Sequence, residues 1–243
     1  MTDAARPTKA YRNEAFLTGP DARTVRILCE YLEPRARLRD GKVARAIIFF
    51  GSARTRPEHA TRGADFGLAA DLAERFASWT TERHAADQRF YIATGGGPGI
   101  MQAAHEGAAR VDQSLNLGLN ISLPFEQHVN PHVSSEHALE FHYFFMRKFW
   151  FVNLAHAVVV FPGGFGTLDE LFELLTLVQT GKSGRMPIVL FGTEFWRALV
   201  NFPMLAEQGM ISPEDLDLLL LTDSLDEAFK FVTASAEAVQ KDR

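Results

Sequence analysis

Short apolar runs alternate with longer amphipathic stretches along most of the chain. The run Val43 to Phe50 (VARAIIFF) is almost continuously apolar and ends in Gly51-Ser52, which is typical of a buried parallel strand. The stretch from Asp65 to about Ala86 repeats its apolar residues at helical spacing. The same alternation predicts further strands at Phe90–Ala93, Leu115–Leu123, Ala138–Phe141, Ala157–Phe161 and Pro187–Phe191, and further helices at Gly99–Val111, Met146–Ala155 and Leu168–Gln179, from about Glu194 and from Leu225.

Strands that alternate with helices of ten or more residues predict right-handed βαβ crossovers. The fold class we expect is therefore α/β, a doubly wound, mostly parallel, Rossmann-like sheet with helices on both faces. Residues 1–20 are polar and carry Pro7, Gly19 and Pro20, so we interpret them as a mobile N-terminal arm. Residues 21–243 are predicted to form a single nucleotide-binding domain that begins with a helix from Thr24, disturbed in its later part by Pro34.

The charge balance argues against a polyanionic partner. With 25 basic and 30 acidic residues, the net charge of −5 predicts no binding to nucleic acid or to an anionic membrane. Cys29 is the only cysteine, which suits a reducing compartment, and the first residues lack the apolar core of a signal peptide. We expect a cytoplasmic protein with no membrane span.

Three predicted strands end in glycine or serine, at Gly51-Ser52, at Gly95–Gly99 and at Gly163–Thr167. Each could be a tight turn, because loops of this kind use glycine for positive φ. However, the carboxyl ends of parallel strands share one edge of the sheet, where ligands bind. Glycines also let backbone N–H groups and a helix N-terminus approach an anion. Together the three segments predict a phosphate-binding cradle that needs no lysine.

Charged side chains flank this predicted cradle. Thr167 and Glu170 could form a capping box at the start of a helix, but Glu170 could equally face a bound sugar. Arg147 and Lys148 interrupt an aromatic segment, where they either extend to solvent or bind an anion. An arginine beside Glu170 would lower its pKa and keep it ionised at neutral pH.

Other site chemistries lack their signatures. The histidines 128, 132, 137 and 142 include no H-E-x-x-H pattern, so no metal site is predicted. A G-x-G-x-x-G dinucleotide fingerprint and a G-x-x-x-x-G-K-[ST] loop are absent, and no lysine stands in a context typical of a pyridoxal phosphate Schiff base. We therefore predict no cofactor.

The segments GGGPGIM (95–101), FFMRK (144–148) and PGGFGTLDE (162–170) resemble the LONELY GUY (LOG) family of nucleoside 5′-monophosphate phosphoribohydrolases, many of which were labelled lysine decarboxylase-like. Short members have M-H-x-R-K where this chain has Phe144 to Lys148, so it is most similar to the longer bacterial subgroup. The resemblance implies that Arg147 and Glu170 are catalytic. It implies substrate-binding roles for Gly51, Ser52, Gly96, Gly97, Glu126, Lys148, Gly163, Gly164, Gly166, Thr167 and Thr176.

The family cleaves the N-glycosidic bond of nucleoside monophosphates to a free base and ribose 5-phosphate. For this chain the resemblance implies AMP or N6-modified AMP as the substrate, a link to cytokinin biosynthesis, and a homo-oligomer. Two alternatives stay open from the residues alone. One is a non-catalytic nucleotide sensor or carrier, and the other is a hydrolase or transferase acting on another phosphorylated sugar.

Overall fold

The computed structural model describes residues 7–123 and 130–241, with side chains up to residue 236. Along the chain the helices and strands are α1 (Glu14–Thr18), α2 (Arg23–Asp40), β1 (Ala46–Phe50), α3 (Gly63–Arg83), β2 (Tyr91–Thr94), α4 (Ile100–Asp112), β3 (Asn116–Ile121), β4 (Ala138–Phe141), α5 (Phe144–Leu154), β5 (Ala155–Val160), α6 (Phe165–Gln179), β6 (Ile188–Phe191), α7 (Thr193–Leu199), α8 (Phe202–Glu207), β7 (Leu219–Thr222) and α9 (Leu225–Lys241). The chain divides between Gly41 and Lys42 into two compact units.

The first unit contains α1 and α2. Asn13 caps α1 by accepting a hydrogen bond from the Phe16 backbone, and Arg26 donates to the carbonyls of Leu17 and Gly19 at 2.7 and 2.6 Å. Helix α2 continues through Pro34 to Asp40, although proline cannot donate the backbone hydrogen bond of that position. The predicted disturbance at Pro34 therefore does not end the helix.

The second unit is built on a parallel sheet. The described strands follow the order β4-β3-β2-β1-β5-β6-β7, and every neighbouring pair is parallel. This confirms the predicted α/β class. Successive strands run outward from β1 in one direction and from β5 in the other, so the strand order reverses between these two. Such a switch point opens a crevice at the carboxyl ends of the strands.

Both faces of the sheet are buried. Ile47 and Phe49 of β1 join a core with α3, α4 and α9, whereas Phe50 packs edge-on against Phe151 of α5, with the ring centroids 5.0 Å apart. Helices thus cover the two faces, as a strand without polar alternation requires.

The last part of the fold differs most from the sequence-based prediction. Strand β7 and helix α8 were not predicted, and β7 adds to the edge of the sheet by pairing with β6. Its sequence, Leu219 to Thr222, is short, and three of its four residues are leucine, which is not β-branched, so the pattern typical of strands is weak. In the described residues no helix combines the length and the hydrophobicity that a membrane span requires.

Candidate active site

A cavity of about 1010 Å³ lies at the carboxyl ends of the strands. The loops after β1, β2 and β5 line it, together with the ends of β3 and β4 and one side of α5 and α6. Of the predicted site residues, the lining contains Gly51, Ser52, Gly97, Arg147, Gly163, Gly164, Gly166, Thr167 and Glu170. Segments far apart in the sequence therefore meet at the switch point, where such folds bind ligands.

Backbone hydrogen bonds join the three glycine loops. The Ser52 N–H donates to the Pro162 carbonyl at 3.0 Å, and the Ser52 carbonyl accepts from the Ile100 N–H at 3.1 Å. Gly99 has φ +70°, and a Cβ there would lie 2.2 Å from the Ser52 carbonyl oxygen, so only glycine fits without displacement. The loop after β1 is consequently held between the loops after β2 and β5.

The third glycine loop runs into the N-terminus of α6. This helix begins at Phe165 with Gly164 as its N-cap and with no side-chain cap. Thr167 and Glu170 thus lie inside the helix, and the alternative that they form a capping box is wrong, because the helix begins at Phe165, three residues before the predicted start at Leu168. The first backbone N–H groups of a helix have no intrahelical acceptor. The space beside Gly164 and Gly166 is open, since an added Cβ at either position would meet no atom within 4 Å.

Arg147 and Glu170 form an ion pair in the cavity wall. Arg147 Nη2 donates to Glu170 Oε1 at 3.2 Å, and Glu170 is only 6% exposed. The Arg147 guanidinium also lies over the rings of Phe144 and Phe151, with its Cζ atom 5.3 and 5.7 Å from their centroids. Packing between aromatic rings therefore holds the arginine toward the carboxylate.

Burial dominates the ionisation of Glu170. Desolvation raises the pKa of this carboxyl to about 7, although Arg147 and then Lys148 act to lower it. The predicted direction of the Arg147 effect is correct. The conclusion that Glu170 stays fully ionised at neutral pH is wrong, because desolvation outweighs the ion pair. Near neutrality the group is poised between its two protonation states, as a catalytic acid or base should be.

Three predicted site residues do not line the cavity. Lys148 Nζ pairs with Asp169 at 2.7 Å and with Glu173 at 2.8 Å. Thr176 is exposed and donates its hydroxyl hydrogen bond to the Phe172 carbonyl. Gly96 lies behind the cavity lining, where its carbonyl accepts hydrogen bonds from the backbone N–H and the side-chain amide of Asn130. Their predicted roles in substrate binding stay predictions.

Asn130 anchors the second glycine loop through a buried polar group. Its carboxamide also contacts the Gly97 carbonyl and His105 Nδ1, at 3.3 and 3.0 Å. His105 is fully buried, and desolvation lowers its pKa to about 4, so it is neutral at pH 7. Predicted residue Glu126 lies in the segment 124–129, outside the described residues, as does His128.

Sequence reasoning missed several polar residues of the wall. Arg54 follows the Gly51-Ser52 turn, and Asn120, Ser122 and Glu140 lie at the ends of β3 and β4. The available signal was a polar side chain at the end of an apolar strand, as in LNLGLNIS and ALEF. Within the described residues, no group of three or more His, Cys, Asp or Glu side chains is arranged to hold a metal ion.

A family model described as "possible lysine decarboxylase" matches residues 101–232, which is more than half of the chain. The chain belongs to this family. The LOG resemblance of its motifs is confirmed, because curated relatives carry LOG names. The match spans α4 to α9 and so includes both members of the ion pair.

Two curated proteins illustrate the sequence similarity of this chain to its relatives. A pyrimidine/purine nucleotide 5′-monophosphate nucleosidase of Escherichia coli K12 is 32% identical over 131 residues, covering 46% of this chain and 27% of that protein. The cytokinin riboside 5′-monophosphate phosphoribohydrolase LOG1 of Arabidopsis thaliana is 33% identical over 86 residues, covering 35% of this chain and 40% of that protein. The chain thus aligns with less than half the length of either relative.

Solved structures support the fold. The X-ray structure of TM1055, a structural-genomics target, gives a TM-score of 0.53 at 18% identity and covers 78% of this chain and 99% of its own. A molybdenum cofactor binding protein from the phototrophic bacterium Rippkaea orientalis gives 0.50 at 19% identity, covering 78% and 96%. At these identities the likeness concerns the fold alone.

Proposed function

We propose that this chain hydrolyses the N-glycosidic bond of a nucleoside 5′-monophosphate and releases the free base and ribose 5-phosphate. The observation that carries the proposal is the ion pair between half-buried Arg147 and buried Glu170 near the N-terminus of α6. The names of the curated relatives support the same reaction. The glycine loops alone would serve any phosphorylated ligand, so the ion pair is what argues for chemistry.

In this proposal the α6 N-terminus binds the 5′-phosphate. Backbone N–H groups of the first turn and the positive end of the helix dipole favour a dianion there without a lysine. Thr167, one turn before Glu170, is 7% exposed and lines the same wall. A phosphate at this turn would therefore place the ribose close to the carboxylate.

Glu170 and Arg147 then act on the bond between C1′ and the base. Cleavage passes through an oxocarbenium-like ribosyl cation, which an ionised Glu170 stabilises while it orients the attacking water. The water gives its hydroxyl to C1′ and a proton to the departing base, so no further reactant is needed. Arg147 holds Glu170 in place and can polarise the base as it leaves.

The finer features belong to the same proposal. AMP or N6-modified AMP as substrate, and with it a link to cytokinin biosynthesis, is supported by the name of the Arabidopsis relative. We also propose that the protein forms a homo-oligomer and acts in the cytoplasm. The exposed aromatic residues Phe144, Phe145 and Phe149 on α5 support self-association, because clustered apolar surface favours a protein interface.

The test is to incubate the purified protein with AMP and to measure free adenine and ribose 5-phosphate. Glu170→Gln should lower kcat/KM by about 10²- to 10⁴-fold, which is the usual contribution of a positioned acid or base. Glu207→Gln, which removes an exposed carboxylate of α8 outside the cavity lining, is the matched control and should retain activity.

Two results would contradict the proposal. Full turnover by the Glu170→Gln protein would remove the carboxylate from the mechanism. A wild type that binds AMP in calorimetry but never releases adenine would instead identify a nucleotide-binding sensor or carrier.

A further inference from the structure

A second polar cluster lies in the cavity wall, at the carboxyl ends of β3 and β4. Asn120 of β3 pairs in register with Glu140 of β4, so the two side chains lie next to each other on one face of the sheet. Ser122 follows two residues after Asn120, and all three line the cavity. The proposed reaction has so far assigned no role to them.

Asn120 is buried, and its side chain has no hydrogen-bonding partner among residues 7–123 and 130–236. Its side chain is 8% exposed, and among the described residues its carboxamide makes no hydrogen bond. It packs against Gly96, where an added Cβ would fall 1.6 Å from Asn120 Oδ1. A buried amide is normally hydrogen-bonded, because leaving it unpaired is costly. The Asn120 carboxamide atoms are not among the fully buried unpaired polar atoms of the described residues, so they are accessible from the cavity and available to bind a ligand group.

Glu140 is oriented by its neighbour. The Ser122 hydroxyl donates to Glu140 Oε1 at 2.7 Å. Within the described chain the second carboxylate oxygen has no hydrogen bond, so it can accept one from a ligand. The cluster thus offers an acceptor beside a carboxamide, which both donates and accepts.

The order of the strands indicates which part of the substrate reaches the cluster. The phosphate loop follows β5, while β3 and β4 lie on the other side of β1 and β2. The Arg147 guanidinium lies over the end of β2, since a Cβ on Gly95 would be 3.7 Å from its Nη1 atom and 4.0 Å from the Leu119 carbonyl oxygen. If the bond that breaks lies at the ion pair, the phosphate extends toward β5 and the base toward β3 and β4.

We propose that Asn120 and Glu140 bind the base and select bases that carry an exocyclic amino group; this inference rests on the proposed function. The carboxylate accepts from the amino group, and the carboxamide pairs with the amino group and an adjacent ring nitrogen, as asparagine does with adenine. A base with a carbonyl oxygen at that position would face the carboxylate with a second acceptor. AMP and CMP are therefore preferred over IMP and UMP.

AMP and IMP give the sharpest comparison, because they differ at this position of the base and share the phosphate and the ribose. The wild type should show a kcat/KM ratio of AMP to IMP of about 10- to 100-fold, the discrimination that one well-placed hydrogen-bonding pair provides. Glu140→Gln, whose amide can donate to a carbonyl oxygen, should bring this ratio close to one. Asn120→Leu should reduce it by lowering activity on AMP.

The control variant and the possible results separate a failure of this inference from a failure of the proposed function. Glu207→Gln should leave the ratio unchanged, and thermal unfolding checks that Asn120→Leu is folded. An unchanged ratio in both cluster variants overturns the inference, while base release by the wild type would still support the proposed function. Variants that change the ratio of AMP to 2′-deoxy-AMP, but not that of AMP to IMP, would also overturn it, because the cluster would then bind the ribose. Absence of base release from every nucleotide would count against the proposed function itself.

Discussion

At the scale of single residues, two opposing effects determine the pKa of the Glu170 carboxyl. An arginine 3.2 Å away favours the carboxylate, but burial favours the neutral acid more strongly, and the pKa rises to about 7. The sequence contains the arginine but says nothing of the depth of burial. A sequence-based argument could therefore predict the partner and the sign of its effect, and still be wrong about the net result.

The first prediction concerns the pH dependence of base release. Because the raised pKa belongs to a group that acts in its ionised form, kcat/KM for AMP should increase with pH, about tenfold per unit below pH 7, and level off above it. The second ionisation of a phosphate monoester such as AMP, near pH 6, causes a separate increase of kcat/KM with pH in that lower range. The residual activity of Glu170→Gln should show only the pH dependence near 6 that comes from the phosphate, and not the one near 7. A rate that falls as the pH rises through 7 would show that the protonated acid is the active form.

At the scale of helices and strands, glycine can mark either open space or close packing. Gly107 of α4 faces α3, and a Cβ there would lie 1.9 Å from the Ala70 carbonyl oxygen. Gly67 of α3 is exposed, and a Cβ there would meet nothing within 4 Å. The two helices can therefore approach closely only because Gly107 has no side chain.

The second prediction compares alanine at these two positions. Gly107→Ala should lower the free energy of unfolding by about 1–3 kcal/mol, because a methyl group is forced against the α3 backbone. Gly67→Ala should raise it by about 0.5–1 kcal/mol, because alanine restricts the unfolded chain and suits a helix. Urea unfolding followed by circular dichroism measures both. Equal effects of the two substitutions would contradict the proposed close packing.

The elements also show what could be predicted from the sequence. The continuous apolar runs before Gly51 and Pro162 predicted β1 and β5, and their glycines predicted the loops that line the cavity. The start of α6 was placed three residues late, because helix propensity does not reveal that Gly164 serves as the N-cap. Asn120 and Glu140 could not be brought together from sequence, since their proximity depends on the register of β3 against β4. The spacing of residues along the sequence predicts which groups share one loop or helix. Which residues are neighbours on adjacent strands can be known only from the folded sheet.

At the scale of the whole molecule, the cavity depends on loops that are distant in sequence. The segments around residues 51–54, 95–99 and 162–167 contribute to one wall, and hydrogen bonds from Ser52 to Pro162 and from Ile100 to Ser52 tie them together. Unfolding of the sheet would separate these segments and destroy the site. A ligand that binds them binds only the folded state, so it must stabilise the fold through mass action.

The third prediction uses this coupling to test the phosphate loop apart from catalysis. With the Glu170→Gln protein, which should consume AMP at least about a hundred times more slowly than the wild type, AMP at a hundred times its Kd adds about 2.7 kcal/mol of stability. For a domain of this size the unfolding midpoint then rises by roughly 5–10 °C. Adenosine at the same concentration should shift it much less, because it lacks the group that the α6 N-terminus binds, and ribose 5-phosphate should shift it measurably. Equal shifts from AMP and adenosine would show that the helix N-terminus does not hold the phosphate, and the order of phosphate, ribose and base along the cavity would then have to be reversed or abandoned.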